Sequence, residues 1–169
     1  MIVTIIAARA ENNALGKNND LVWDLPADMK FFKDTTRGHV VITGRKNYES
    51  IPERFRPLKN RANVVITRNA AYDARGAFVV TDLRKAIELA RDKGETEAFV
   101  IGGGQIYALA LRLDLVDKMY LTRVHGEFEA DVFFPEFNED NWSVKEVFRH
   151  EADVNHACGF TVFEYIRKR

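Results

Sequence analysis

The sequence predicts an α/β fold: a mostly parallel central sheet flanked by helices, with a C-terminal antiparallel hairpin. Three observations predict it. Short runs rich in Val and Ile recur along the 169 residues, apolar without alternation, as in strands covered on both faces. Segments with helical spacing lie between them, and strand–helix alternation implies right-handed crossovers between parallel strands. The last third changes character, with two strand-like runs joined by a polar stretch. No repeat, low-complexity tract or Gly/Ser-rich linker interrupts the chain, so residues 1–169 are expected to form a single domain.

Taken in order, the first strand is Ile2–Ala8. Arg9 to Val22 follows, a polar, Asn-rich stretch whose length reads as a functional loop, often a lid. Pro26 to Thr35 is a helix, with proline suited to its first turn and Met29 and Phe32 on one stripe. Val40–Thr43 is a strand, Arg45 to Ile51 a short helix, and Asn63–Thr67 and Ala77–Thr81 are strands. Asp82 reads as the N-cap of a helix over Leu83 to Asp92, with Leu83, Ala86, Ile87 and Ala90 inward and Gly94 just past its end. Ala98–Ile101 is a strand, Gly104 to Leu113 a helix and Lys118–Val124 a strand. Trp142–Arg149 and Phe160–Tyr165 form the hairpin across His150 to Gly159.

Composition narrows the function class. Lys+Arg and Asp+Glu number 25 each, so the chain lacks the global field of a polynucleotide-binding or membrane-surface protein. No apolar run is long enough to cross a bilayer, and no export signal is read at the N-terminus. The single cysteine, Cys158, fits a reducing cytoplasm. His39, His125, His150 and His156 lack ligand spacing, so no metal site is expected. A cytoplasmic monomer acting on small molecules is the reading.

Loops after strands carry the first chemical signal. Gly44-Arg45-Lys46-Asn47, Arg68 and Gly102-Gly103-Gly104-Gln105 each follow a strand, where helix N-termini and glycines admit phosphates and basic residues add charge. Glycines and basic residues are common at any one such turn; three glycines in a row with two more basic loops point to phosphate binding. The run is no Rossmann fingerprint, since Tyr107 stands at the third glycine position, and no Walker loop. Arg45 and Arg68 favour a 2′-phosphate, hence NADPH, because each charged hydrogen bond contributes roughly 1.5–3 kcal/mol.

The second signal is the run from Leu21 to Phe32. An acidic residue in a helix's first turn commonly does no more than complement the dipole. Here Asp28 sits among Trp23, Met29 and Phe32, which could wall a flat cavity. A carboxylate there can accept two parallel N–H bonds from an amidine-like ring edge.

These residues carry a resemblance. Trp23-Asp24-Leu25-Pro26-Ala27-Asp28 with Phe32-Lys33 is similar to the substrate-helix signature of the dihydrofolate reductase family. So are Thr43 to Ile51, Phe99 to Tyr107, Tyr120-Leu121-Thr122, and Asp131 through Phe134-Pro135, in the family's order along the whole chain. The resemblance implies NADPH-dependent reduction of dihydrofolate to tetrahydrofolate, and sensitivity to antifolates. It implies that Asp28 holds the pterin's pyrimidine edge, with Thr122 in the same network, Trp23 positioning a water and Leu21 in the lid. Ile6, Ala8, Met29, Phe32, Lys33, Ile51, Leu58, Ile101 and Tyr107 would line the substrate, and Arg61 would pair with the glutamate tail's α-carboxylate. Gly102, Gly103, Gly104, Gln105, Ile106 and Tyr107 would carry the diphosphate, with a cis peptide between Gly102 and Gly103. Gly44, Arg45, Lys46, Asn47, Ser50, Thr67, Arg68 and Thr81 would hold the adenosine half. Ala8, Leu15, Gly16, Asn19, Asp20, Leu21 and Ile101 would close over nicotinamide.

The chain departs from the family in places. Leu21 replaces a methionine and Val22 a proline, both in the lid. Pro52-Glu53-Arg54-Phe55 are extra residues before Leu58, Ala130 replaces a glycine, and Gln105 replaces an arginine. Two rival readings are a same-fold reductase acting on a riboflavin-precursor pyrimidine, which should lack the Trp23-to-Asp28 signature, and a non-catalytic nucleotide-binding module. A carboxylate-pair hydrolase using Asp24 and Asp28 is weakened because Asp24 precedes Pro26.

Overall fold

The computed structural model describes residues 1–16 and 23–169. Its centre is an eight-stranded sheet in the order β5-β4-β3-β6-β1-β7-β10-β9. The strands are β1 (Ile2–Ala10), β3 (Val40–Gly44), β4 (Ala62–Ile66), β5 (Phe78–Val80), β6 (Glu97–Gly102), β7 (Lys118–Val124), β9 (Trp142–His150) and β10 (Phe160–Arg167). All pairs from β5 to β7 are parallel; β10 runs antiparallel to both β7 and β9. The mostly parallel sheet and the terminal hairpin are therefore as the sequence predicts.

Helices α1 (Pro26–Thr36), α2 (Arg45–Ser50), α3 (Leu83–Asp92) and α4 (Gly104–Arg112) cover the sheet. The continuous apolar runs are explained by burial on both faces. Val3, Ile5 and Ala7 pack with Leu83, Ala86, Ile87, Ala90 and Ala110 of α3 and α4. Ile6, Val41 and Phe99 turn the other way, toward Phe31 and Phe32 of α1. Among the described residues, no helix is long and apolar enough to cross a membrane.

One expectation is corrected. The stretch after the first strand is shorter as a loop than its polarity suggests, because β1 continues to Ala10 and Ala14–Gly16 forms β2. Asn13 turns the chain at φ 67°, its N–H bonded to the Ala10 carbonyl, and β2 pairs with β8 (Val132–Phe133). Ala14 is fully buried in this pairing despite its polar neighbours. Asn19, Asp20, Leu21 and Val22, expected in the lid, lie outside the described residues.

The expected cap on α3 is present: the Lys85 N–H donates to Asp82 Oδ1 at 2.9 Å. Asp82→Ala should therefore cost about 1 kcal/mol, read as a lower urea midpoint with an unchanged m-value.

Candidate active site

The parallel strands β1, β3, β4, β6 and β7 bring their carboxyl ends to one end of the sheet, and α1 packs Phe31 and Phe32 on the face formed by Ile6, Val41 and Phe99. Helix α1 starts where it does because Pro26 has no N–H to satisfy and buried Leu25 anchors the entry. The Asp28 and Met29 N–H groups both reach back to the Leu25 carbonyl at 3.0 Å. The first turn therefore aims Asp28 at β7, where Thr122 Oγ1 donates to Asp28 Oδ1 at 2.6 Å. Thr122 is 3% exposed and sits in register beside Ala8 of β1. Burial raises the Asp28 carboxyl from its ordinary 3.8 to about 6, against the lowering effect of the Thr122 hydroxyl.

Apolar side chains wall this carboxyl. Ala8, Trp23 and Ala27 pack around Leu25, Val124, Phe160 and Val162, and the Trp23 ring meets Phe128 at 5.6 Å. Ile6, Phe32, Leu58 and Ile101 gather on the other side with Phe31 and Tyr120. Met29 is 53% exposed on the open side of α1. Lys33 is also exposed, whereas Ile51 packs with Tyr48, Val65 and Ala74, in a cluster separate from the Phe32 group.

The segment with extra residues is held firmly. Glu53–Phe55 forms a 3-10 turn, and the Arg56–Pro57 peptide is cis. Asn63, only 2% exposed, then clamps the next stretch: its Oδ1 accepts from the Leu58 N–H, and its Nδ2 donates to the carbonyls of Leu58 and Arg61. Arg61 donates through Nε to the Lys59 carbonyl and through Nη1 to Thr36 Oγ1, which fixes its guanidinium plane above Phe32.

The glycine turns form the other half of the site. Strand β6 ends at Gly102, and the Gly102–Gly103 peptide is cis. Gly102 has φ +122°, and a Cβ there would lie 3.1 Å from the Tyr107 hydroxyl oxygen, so glycine is required twice over. Tyr107 itself is buried, and its hydroxyl donates to the Ile6 carbonyl at 2.9 Å. Helix α4 opens at Gly103 without a side-chain cap, and a Cβ on Gly104 would meet Val132 Cγ1 at 2.9 Å. Leu15 approaches the same point, so the β2–β8 ribbon rests on the glycine loop. Gly44 closes β3 nearby, packed against Ile106. The Thr43 hydroxyl reaches the Gly102 carbonyl, and Asn47 Nδ2 donates to Thr43 Oγ1, so the two turns are tied together.

Around them, Lys46, Ser50, Arg68, Thr81 and Gln105 are exposed, and Arg45 lies over the Tyr72 ring at 4.1 Å. Thr67 donates its N–H to Val80, and its hydroxyl accepts from Asn69. An uncapped helix start, a glycine cradle and ringed basic groups suit the phosphates of a dinucleotide.

The sequence did not single out Asn63 or His156. The latter accepts a hydrogen bond from Ala27 of α1, and His150, Asp153 and His156 lie together although the spacing of the histidines set them apart. The Ala27–His156 contact spans 129 positions and leaves no local pattern, whereas the Asn63 clamp is local, within five residues, but rests on a loop conformation that no turn motif in the sequence signals.

Comparison with known proteins follows the same line. The family described as dihydrofolate reductase matches residues 2–167. A dihydrofolate reductase of Bacillus subtilis (strain 168) is 38% identical, over 99% of this chain and 95% of its own. A dihydrofolate reductase type 3 of Salmonella typhimurium is 41% identical, over 95% and 96% respectively. The solved dihydrofolate reductase of Enterococcus faecalis, complexed with NADP(H) and RAB-propyl, superposes with a TM-score of 0.90 at 30% identity, covering 99% of this chain and 97% of that one. The chain belongs to the dihydrofolate reductase family.

Proposed function

We propose that the chain reduces 7,8-dihydrofolate to 5,6,7,8-tetrahydrofolate with NADPH, and that Asp28 is the ionised group on which the reaction turns. The observation that carries this is the half-buried Asp28 carboxyl, whose Oδ1 accepts from the neutral Thr122 hydroxyl at 2.6 Å beside apolar side chains; desolvation pushes it up to about 6. A carboxylate in that setting is free to take two N–H bonds from the pterin's pyrimidine edge. Trp23, Ile6, Ala8, Phe32 and Leu58 exclude water around the ring, with Met29, Lys33, Ile51, Ile101 and Tyr107 completing the pocket. Arg61, its plane set by Thr36 and the Lys59 carbonyl, takes the tail carboxylate.

The cofactor, when bound, supplies the hydride. Gly102 to Tyr107 would hold its diphosphate. Gly44, Arg45, Lys46, Asn47, Ser50, Thr67, Arg68 and Thr81 would take the adenosine half, and Ala8, Leu15, Gly16 and Ile101 would lie beside the nicotinamide. In this reading a water delivers the proton to the pterin nitrogen, and the Asp28 charge favours its uptake. The chain works as one domain and as a monomer, and lone Cys158 suits a reducing cytoplasm.

The rival readings are weaker. Asp24 lies outside α1 and is exposed, which removes the carboxylate pair. A nucleotide-binding module leaves the Asp28 cleft without a purpose, and the riboflavin-precursor reductase lacks its signature.

Adding dihydrofolate to protein and NADPH should bleach the NADPH absorbance; folded protein that leaves it unchanged overturns the reading. Asp28→Asn should lower turnover at neutral pH by about 100-fold or more, with partial recovery in acid, where dihydrofolate arrives protonated.

Stability should move oppositely. A carboxyl raised to about 6 in the fold favours the folded state in its protonated form. That contribution is complete below 3.8 and is lost as the pH rises through 6, leaving an ionised group in a poor place. Screening at the open cleft reduces the cost to about 1–2 kcal/mol. Asp28→Asn should therefore unfold at higher urea than the parent at pH 8, and at nearly the same urea at pH 4.

A further inference from the structure

The first turn of α1 carries Asp28, yet its own residues leave one donor unmet. Leu25 provides no side-chain cap, Pro26 has no N–H, and the Asp28 and Met29 N–H groups bond to Leu25. The Ala27 N–H instead meets His156 Nε2 at 3.0 Å, a contact spanning 129 positions of sequence. A peptide N–H can only donate, so Nε2 accepts and the ring proton sits on Nδ1. There it faces Asp153 Oδ1 at 2.8 Å.

The imidazole is held on every side. Asp153 and His156 close a tight turn through two backbone bonds, and Asp153 Oδ1 also accepts from the Asn155 N–H. His150 lies on the His156 ring with centroids 4.1 Å apart and donates from Nδ1 to the Glu151 carbonyl. His156 is 5% exposed. His150, Asp153 and His156 each place a ligand-type atom within 4.8 Å of the others, the spacing of a metal site. The proton count argues against that use: a cation on Nδ1, with Nε2 accepting from Ala27, would require an imidazolate.

We propose that His156, as its neutral Nδ1–H tautomer, is a positioning residue that caps α1 and thereby holds the Asp28 carboxylate in its working place. The inference rests on the reading that Asp28 receives the pterin. Two neighbouring residues of α1 are then tied to one corner of the sheet: Ala27 to His156, and Asp28 to Thr122. That corner is continuous, because β10 begins at Phe160, just past His156, and pairs Val162 with Thr122 and Phe160 with Val124. A neutral cap also satisfies the helix start without bringing a second negative charge beside Asp28.

The test compares His156→Leu, which loses the acceptor, with His156→Gln, whose amide oxygen can reach Ala27. Single-turnover hydride transfer from NADPH to dihydrofolate is followed against pH, with KM for each substrate. In His156→Leu the KM for dihydrofolate should rise about fivefold, the size of a lost helix cap. The KM for NADPH should hold, and the pH midpoint should fall toward the ordinary carboxylate range as water reaches Asp28. His156→Gln should restore most of both. In the unaltered protein, 15N NMR should show His156 protonated at Nδ1 alone, and Ala27 amide exchange should quicken in His156→Leu.

Both variants with parental KM and midpoint would overturn the proposal, as would equal losses of stability with the midpoint unmoved. Should His156→Leu not fold, Asp153→Ala, which frees the ring proton to move to Nε2, must shift the midpoint in the same direction. A ring proton found on Nε2 there with the midpoint unmoved also overturns it. Failure of the unaltered protein to reduce dihydrofolate would sink the functional reading instead, while the tautomer and the Ala27 exchange still judge the cap.

Discussion

A carboxylate that must remain available to a ligand's N–H groups needs a partner that orients it without neutralising it. The hydroxyl of Thr122 does this for Asp28, because it fixes one oxygen at 2.6 Å and adds no charge. Burial then works against ionisation and raises the carboxyl to about 6, so the site holds a group that is costly to the fold and useful to a cationic or N–H-rich ring. The placement of Thr122 follows from β7, whose neighbours β1 and β10 fix its register on both sides. Most of the architecture can be read as the means of holding that one hydrogen bond at the end of a rigid sheet.

The glycine turns extend the same logic to the cofactor side. Gly104 has no room for a Cβ because Val132 and Phe133 of the β2–β8 ribbon lie against it, with Leu15 close by. The ribbon after β1 is therefore packed on the loop assigned to the diphosphate. Thr43 and Asn47 tie the turn after β3 to the turn after β6, so the two glycine turns share one hydrogen-bonded frame. Ile106 fills the space beside Gly44 and joins them by packing as well. A change in either glycine turn should be felt by both.

How much was legible depended on the range of the interaction. The parallel strands could be read because burial on both faces leaves runs such as Val40–Ile42 and Ala98–Val100 apolar throughout. The start of α3 could be read because Asp82 caps its own helix three residues on. The site was legible where residues cluster in sequence, as from Trp23 to Phe32 and from Gly102 to Tyr107. Its supports were hidden: β2 and β8 are too short for a period, and Asn63 reads as an ordinary polar residue until its three bonds to Leu58 and Arg61 are seen. His156 gives no sign in sequence that it serves a helix starting at Pro26.

The zero net charge of the chain conceals a strong local arrangement. Positive groups stand at two ends of the site: Arg45, Lys46 and Arg68 around the glycine turns, and Arg61 beyond the clamp of Asn63. Between them the apolar cleft holds Asp28, with Thr122 and His156 as neutral attendants. A ligand pair with anionic ends and an electron-poor, N–H-bearing centre matches that sequence of charge, neutral wall and opposite charge. Replacing a neutral attendant by a charged one would disturb the centre directly, because a low-dielectric cleft screens poorly. Distance and solvent soften the same change at either basic end. Specificity of this kind follows from where the few charges are placed and from keeping their nearest supports uncharged.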